Sequence, residues 1–519
     1  MIRSICGISL LVFSIFLLNA CQEDASDAHT IRDRPNIIIL LADDMGYSDL
    51  GCMGSEIHTP ALDRLAREGV LMTHFYTTSR CCPSRASLMT GQYAHRVGMG
   101  HMNYDWDLPA YRGFLTNGAV TIPEIMRNNG YRTIMTGKWH IGDERPNWPI
   151  DRGFERFYGI PAGGGVYFWP PVGLDRPVYR NEEQITPDSN WYSTDAFTNE
   201  AIEFIREAQR DDKPFFLYTA YIAPHFPLQA WPEDIAKYEG VYDTGYTPIR
   251  QARFDKQQQA GVLPAPAQLS KAEYPSWAEV SDQTEEARRM QVYAAMIDRL
   301  DQNVQHLMDF LDSARLANNT MVFFLSDNGG CREIRNNTPN EETGSPRSFA
   351  AYGEAWANVS NTPYRKYKSM EHEGGLLTPL IAHWPDGLPQ RGLITHEPAH
   401  IMDLMATCLD LAGIDYPDSL NNASTLPPAG KSFLPQLRGN KADPERTLFW
   451  EHEGNKAVRR GSWKLVKQHQ GDWELYNITD DPVELHDLSV EYPERVQALS
   501  TAYEAWALEN AVLKWPVVH

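Results

Sequence analysis

Between residues 35 and 46 the chain reads PNIIILLADDMG, an unbroken aliphatic run that ends on two acidic residues. No polar position alternates with the apolar ones, so the run predicts a strand covered on both faces, as in the middle of a parallel sheet. TPALDRLAREG follows, with Thr59 placed to cap a helix, Pro60 at its first position, Leu62, Leu65 and Ala66 on one face, and Gly69 as the stop. VLMTHFY then supplies a strand, and strand, helix, strand is the rhythm of a βαβ unit. That rhythm returns in PFFLYTAYIAP, in a helix where Tyr293, Met296, Ile297, Leu300, Val304, Leu307 and Leu311 keep a 3.6-residue period, and in MVFFLSDNGG. The polar, proline-rich stretch from Glu239 to Ser276 predicts an excursion over the mouth of the sheet. Near PDSLNNASTLPPAGKS the composition changes. Beyond it RTLFWEHEGNKAVRRGSWKLVKQ and DWELYNIT read as short alternating strands, closed by a helix in PERVQALSTAYEAWALENA. The expected architecture is a large α/β domain, residues 35–425, with a small α+β appendage, residues 426–519.

The first residues, MIRSICGISLLVFSIFLLNAC, set Arg3 before an apolar run that breaks into QEDASDA, which predicts a signal peptide over residues 1–20. Leu18-Asn19-Ala20-Cys21 resembles a bacterial lipobox. That resemblance implies a lipid on Cys21, a linker to residue 34, and a periplasmic or cell-surface lipoprotein of a Gram-negative bacterium. The alternative is an ordinary leader before a soluble exported enzyme. The formal net charge of −21 over 519 residues argues against a nucleic-acid partner, because phosphate binding needs clustered Lys and Arg. An anionic substrate must therefore meet a locally basic site. In the body of the chain Cys52, Cys81, Cys82, Cys331 and Cys408 form neither a disulfide framework nor a CxxC zinc pattern, and their pairing stays open.

Two of these cysteines are adjacent, in TTSRCCPSRASLMTGQ. The spacing of Cys81 and Cys82 to Arg85 is too short for a phosphatase-type thiol loop, and a vicinal disulfide is a strained, rare pairing. The string from Cys81 to Gly91, CCPSRASLMTG, resembles the signature of the type I sulfatases, CxPSRxxxLTG, with Met89 where Leu is usual. The resemblance implies that a maturation enzyme, reading Pro83 and Arg85, oxidises Cys81 to Cα-formylglycine, while Cys82 is the variable position. One hydroxyl of the hydrated aldehyde attacks sulfur and the other, once deprotonated, expels sulfate, so that water need not attack. Helix-forming residues after Pro83 would set this diol at a helix N-terminus, where N–H groups favour an anion.

A negative nucleophile and a negative ester call for a hard cation with oxygen ligands. Asp43 and Asp44 end one predicted strand and Asp327 and Asn328 another, and parallel strand ends open on one crevice. The resemblance implies that these four, with the formylglycine at Cys81, hold one Ca2+; no His or Cys set suits zinc. GKWHIG (137–142) resembles the family's GKWHLG, YIAPHFPL brings His225, and KSMEHEGG brings Lys368. By the same resemblance Arg85, Lys138 and Lys368 hold sulfate or formylglycine and His140 deprotonates the second hydroxyl. His225 faces the leaving oxygen, Asp327 is the base for the attacking hydroxyl, and Glu371, Glu373, Gly374 and Gly375 shape the loop behind Lys368. WELYNITDDPVELHDLS resembles the family's closing segment.

The family implies an alkaline-phosphatase-like fold, a large mixed or parallel sheet flanked by helices. It also implies a sulfuric ester hydrolase of arylsulfatase type, acting on sulfated carbohydrates. Two rivals are a phosphate or phosphonate monoester hydrolase of the same superfamily and a non-catalytic lipoprotein that binds sulfated glycans. The second should have lost Cys81 or an acidic ligand, and this chain keeps them. His452, Asn455 and Arg459 are candidate sugar contacts, or else simple joints between appendage and core.

Overall fold

In the computed structural model, which describes residues 34–420 and 423–517, the run after Pro35 is strand β1 (Asn36–Asp43), buried along its whole length. The leader, Cys21 and most of the linker lie outside the described residues. β1 belongs to an 11-stranded sheet. Its other members are β2 (Val70–Tyr76), β3 (Arg132–Lys138), β4 (Arg156–Ile160), β5 (Val178–Arg180), β6 (Glu183–Ile185), β7 (Phe215–Pro224), β8 (Thr320–Ser326), β9 (Leu377–His383), β10 (Leu393–Thr395) and β11 (Ala399–His400). The order is β10-β2-β9-β8-β1-β7-β3-β4-β5-β6, with β11 paired to β2. Ile38, Leu40 and Ala42 face one hydrophobic core and Ile37, Ile39 and Leu41 the other, which is why no polar residue interrupts β1.

The central strands β8, β1, β7 and β3 run parallel, so their C-terminal ends share one edge. β9 runs antiparallel to β8, and its N-terminal end, with the loop before it, returns to that edge. The sheet is therefore mixed. β1 and β2 are not neighbours, because β8 and β9 lie between them, and the first βαβ unit is a crossover that skips two strands.

Helix α1 (Pro60–Glu68) starts at Pro60, but Thr59 does not cap it. The Thr59 hydroxyl donates to Asp63 and accepts from the Gly51 amide. The free amides of the first turn instead donate to Asp301, from Ala61 at 3.0 Å and Leu62 at 2.8 Å. Asp301 comes from the long helix Gln283–Ser313, so a tertiary carboxylate does the work of the local cap. Within the polar insertion, helix Tyr246–Ala260 buries Arg253, which is bound to Asp49 and Glu56 at 2.7 Å each.

The C-terminal strands Thr447–His452, Asn455–Arg460, Trp463–Lys467 and Glu474–Asn477 form an antiparallel meander. Helix Pro493–Glu509 packs on it through Leu499 and Tyr503 against Val458, Leu465 and Leu475. Phe433, Leu434 and Leu437, ahead of the meander, join a core of the main sheet. At the seam Lys464 Nζ bonds Glu373 Oε1 at 2.6 Å and lies 2.9 Å from Glu484. Among the described residues no helix is long and apolar enough to cross a membrane, and all five cysteines are free.

Candidate active site

Cys81 is the first residue of helix α2 (Cys81–Thr90), every residue of which is buried. Its Sγ lies 3.8 Å from Asp44 Oδ1. The residue after β1, Asp44, has φ 65°, a left-handed conformation uncommon for a residue with a Cβ. The Asp44 amide then donates to Asp327 Oδ1 at 3.1 Å, locking the ends of β1 and β8 together. Lys138, closing β3, donates to Asp43 Oδ2 at 2.6 Å, and Lys368, in the loop before β9, to Asp44 Oδ2 at 2.6 Å. Arg85, one turn into α2, grips Asp327 Oδ2 through Nε (3.0 Å) and Nη2 (2.8 Å), while its Nη1 donates to the Lys138 carbonyl. Asn328 Nδ2 donates to Asp44 Oδ1 at 2.7 Å.

His225, just past β7, has Nδ1 2.5 Å from the Phe226 carbonyl and Nε2 3.5 Å from Asp44 Oδ2. A carbonyl can only accept, so Nδ1 carries hydrogen and Nε2 is the nitrogen that faces the cavity. His140 has φ 65°, and its Nδ1 is buried without a hydrogen-bond partner. A Cβ on Gly163 would come within 1.9 Å of His140 Nε2, so only glycine lets the chain pass so close.

Two further atoms describe what the cluster can hold. Asp43 Oδ1, with Arg85 Nη2 3.5 Å away, and Asn328 Oδ1 are buried and accept no hydrogen bond. Such orphans cost about 1–3 kcal/mol each unless something binds them. Asp43, Asp44, Cys81 and His225 each offer a donor atom, all within 4.8 Å of one another. Asp43 and Asp44 supply carboxylate oxygens and Asn328 Oδ1 an amide oxygen, donors that suit a hard cation such as calcium, whereas the Cys81 sulfur and the His225 nitrogen do not.

Burial opposes ionisation of Asp43, but Lys138, His225, Arg85 and Lys368 outweigh it and hold the carboxyl well below the usual range. For Asp44, burial is likewise outweighed, by Lys368 and His225. Asp327 goes the other way: burial and the Asp43 charge push it up to about 7, with Arg85 offsetting only part. Burial, Lys138 and Arg85 keep His140 well below its ordinary value and hence neutral. Burial also lowers His225, against the pull of Asp44. The Cys81 thiol is pushed by burial up to about 12, so an unmodified cysteine here stays protonated near neutrality and is a poor nucleophile.

Ion pairs and hydrogen bonds thus bring Asp43, Asp44, Arg85, Lys138, His225, Asp327, Asn328 and Lys368 together around Cys81, with His140 beside Gly163 in the field of Lys138 and Arg85. The three residues of the appendage do not join this cluster, although Asn455 reaches Ser369, which also holds Arg80. Asn455 Nδ2 donates to the Ser369 carbonyl at 3.0 Å and Arg459 lies over the Tyr76 ring, so both join the meander to the core. His452 is buried against His101, ring centroids 5.3 Å apart. Sequence reasoning missed Arg80 and Glu333, which stand 3.5 Å apart beside the cavity. The one signal for Arg80 was its place before Cys81.

Comparison with known proteins agrees with this geometry. The family model described as Sulfatase matches residues 35–414, and that described as N-sulphoglucosamine sulphohydrolase, C-terminal, matches residues 365–503. An uncharacterized sulfatase of Schizosaccharomyces pombe is 33% identical over 528 residues, spanning 93% of this chain and 95% of its own. An arylsulfatase of Klebsiella aerogenes is 33% identical over 437 residues, 79% of this chain and 93% of its own. The crystal structure of Ps i-CgsB superposes with a TM-score of 0.71 at 28% identity, covering 92% of this chain and 93% of its own. A phosphonate monoester hydrolase of Agrobacterium radiobacter, 19% identical with a TM-score of 0.60, shares the fold alone.

Proposed function

The chain belongs to the sulfatase family, has its alkaline-phosphatase-like fold and is a sulfuric ester hydrolase; from that premise we propose that it desulfates carbohydrates through Cys81 matured to Cα-formylglycine, with one calcium ion. The observation that carries this reading is Cys81 at the head of α2, facing Asp44 beside two buried, unbonded oxygens of Asp43 and Asn328. As hydrated formylglycine, residue 81 would supply a geminal diol in place of an inert thiol. Asp43, Asp44, Asp327 and Asn328 would hold calcium, which supplies positive charge where oxygen becomes negative.

A charge count supports the cation. With Asp327 ionised, Arg85, Lys138 and Lys368 (+3) are balanced by Asp43, Asp44 and Asp327 (−3), whereas a divalent ion would bring the site to +2 and favour a sulfate. Lys138, Lys368 and Arg85 orient the sulfate oxygens. Asp327, near neutrality, accepts a proton at its carboxylate from the attacking hydroxyl, and neutral His140 accepts one at its ring for the second step. His225, its Nδ1–H held on the Phe226 carbonyl, turns Nε2 to the leaving oxygen; to give it a proton the ring must be imidazolium, the form that Asp44 favours and burial opposes.

Carbohydrate as the substrate class is supported by the structure of Ps i-CgsB in complex with k-i-k-neocarrahexaose. We further propose export, a lipid on Cys21, and a formylglycine-generating enzyme as maturation partner. The deciding experiment is the mass of the tryptic peptide Cys81–Arg85 from cells with a working maturation system. A loss of about 18 Da, thiol replaced by aldehyde, is expected. Unmodified cysteine beside a correctly matured control sulfatase would overturn the formylglycine reading.

A further inference from the structure

Part-exposed charge stands next to Cys81, outside the machinery described above. Arg80 immediately precedes Cys81, and its Nη1 is held 2.8 Å from Ser369 Oγ while Nε faces Met102 Sδ at 3.4 Å. Across from it Glu333 follows the Asn328 loop, with Oε1 3.5 Å from Arg80 Nη1. On the far side Arg335 Nη2 lies 3.3 Å from Glu333 Oε2, and its guanidinium sits over the Phe226 ring. That ring stands 4.2 Å from His225. The contacts therefore run from the neighbour of the nucleophile to the histidine at the leaving group, with Glu333 in the middle.

Two properties separate this wall from the sulfate pocket. The side chains of Arg80 and Glu333 are 20% and 21% exposed, where those of Arg85, Lys138, Asp43 and Asp327 are 0%. Its ion contacts, at 3.3–3.5 Å, are also slack beside the roughly 2.7–2.9 Å of a tight charged hydrogen bond. A carboxylate has about four acceptor positions, so three loose contacts, two from Arg335 to Oε2 and one from Arg80 to Oε1, leave Glu333 room for a ligand hydroxyl. Burial works against its charge, but Lys368, Arg80 and His225 more than offset it, and it stays ionised near neutrality.

We propose that Arg80 and Glu333 form a sugar subsite that selects the neighbourhood of the scissile ester: Glu333 accepts a hydrogen bond from a free hydroxyl on the adjacent carbon and repels a second sulfate there. This rests on the carbohydrate reading above. A hydroxyl can donate to a carboxylate, whereas a sulfate ester is ionised and has no proton to give. Arg80, anchored by Ser369, donates to the remaining oxygens of the same ring.

The test uses mature enzyme, a panel of monosulfated methyl galactosides and glucosides, their vicinal disulfates, and 4-nitrophenyl sulfate, which has no hydroxyl. Wild type should prefer the best monosulfate over its vicinal disulfate by at least about tenfold in kcat/KM, the scale of one like-charge contact in a partly exposed site. Glu333→Gln should cut that preference to within about threefold, and Glu333→Arg should reverse it. A second readout is inhibition of 4-nitrophenyl sulfate hydrolysis by the disulfate, which should strengthen in the same order. An unchanged ratio in Glu333→Gln would overturn the subsite. Turnover of 4-nitrophenyl sulfate with none of any sugar sulfate would instead strike the underlying carbohydrate reading.

Discussion

The sulfate pocket and the domain seam are built from the same material. In the pocket Lys138 and Lys368 meet Asp43 and Asp44 at 2.6 Å; at the seam Lys464 meets Glu373 at 2.6 Å, and these side chains are at most 2% exposed. The difference lies in what is left over. Glu373 is fully used, with Oε1 taken by Lys464 and Oε2 by the Tyr76 hydroxyl at 2.8 Å, and Glu484 beside it, itself at φ 59°, has its Oε1 2.9 Å from the Lys464 ammonium. The pocket leaves Asp43 Oδ1, Asn328 Oδ1 and His140 Nδ1 without hydrogen-bond partners, and holds Asp44 and His140 in left-handed conformations. A buried ion pair alone therefore does not mark a site. Nor does a left-handed residue, since Glu484 at the seam is one; unspent acceptors gathered where the ends of parallel strands meet do.

The most severe way to test this contrast is Cys81→Ala. It should lower kcat on 4-nitrophenyl sulfate by roughly 10⁴-fold or more while leaving thermal stability near wild type, because the pocket serves chemistry before folding. Lys464→Met should do the reverse. Stranding Glu373 and Glu484 in the seam costs about 3–5 kcal/mol in denaturant titration, with kcat per folded molecule kept within about threefold. Calcium should act on the pocket alone. At a hundred times its Kd it should stabilise wild type by about 2.7 kcal/mol, Asp43→Asn should abolish that gain, and Lys464→Met should keep it.

The smallest effect concerns Glu371, between the two regions. Its carboxyl is pushed by burial up to about 8, although Ser79 Oγ donates to it at 2.8 Å. With a raised folded pKa, the native state holds a proton that the unfolded chain releases above its ordinary value, so this contribution is full at low pH and fades as pH rises toward 8. Glu371→Gln should flatten the stability profile over that window, by up to about 1.4 kcal/mol per pH unit; an unaltered slope would show that Glu371 ionises normally.

What could be read in advance follows the range of the forces involved. Strand β1, the period of the helix around Tyr293 and the motif residues are local patterns, and each lies where its pattern placed it. The Thr59 cap failed because the better acceptor, Asp301, arrives from over two hundred positions away. Helix Tyr246–Ala260 escaped notice because it buries Arg253 and Gln257 in place of an apolar stripe. The same reason hid Glu333. It follows the DNGG turn without any pattern, and its meaning comes only from Arg80 and Arg335 on either side.

One feature of α2 bears on the order of events in the life of the chain. Cys81, Pro83 and Arg85 are all sealed inside the finished molecule. On the maturation proposed above, a modifying enzyme that must touch all three could not read them there, so oxidation of Cys81 would have to run ahead of folding. The yield of active enzyme would then be a race between two rates, and a variant that folds faster would leave more of the protein permanently inert.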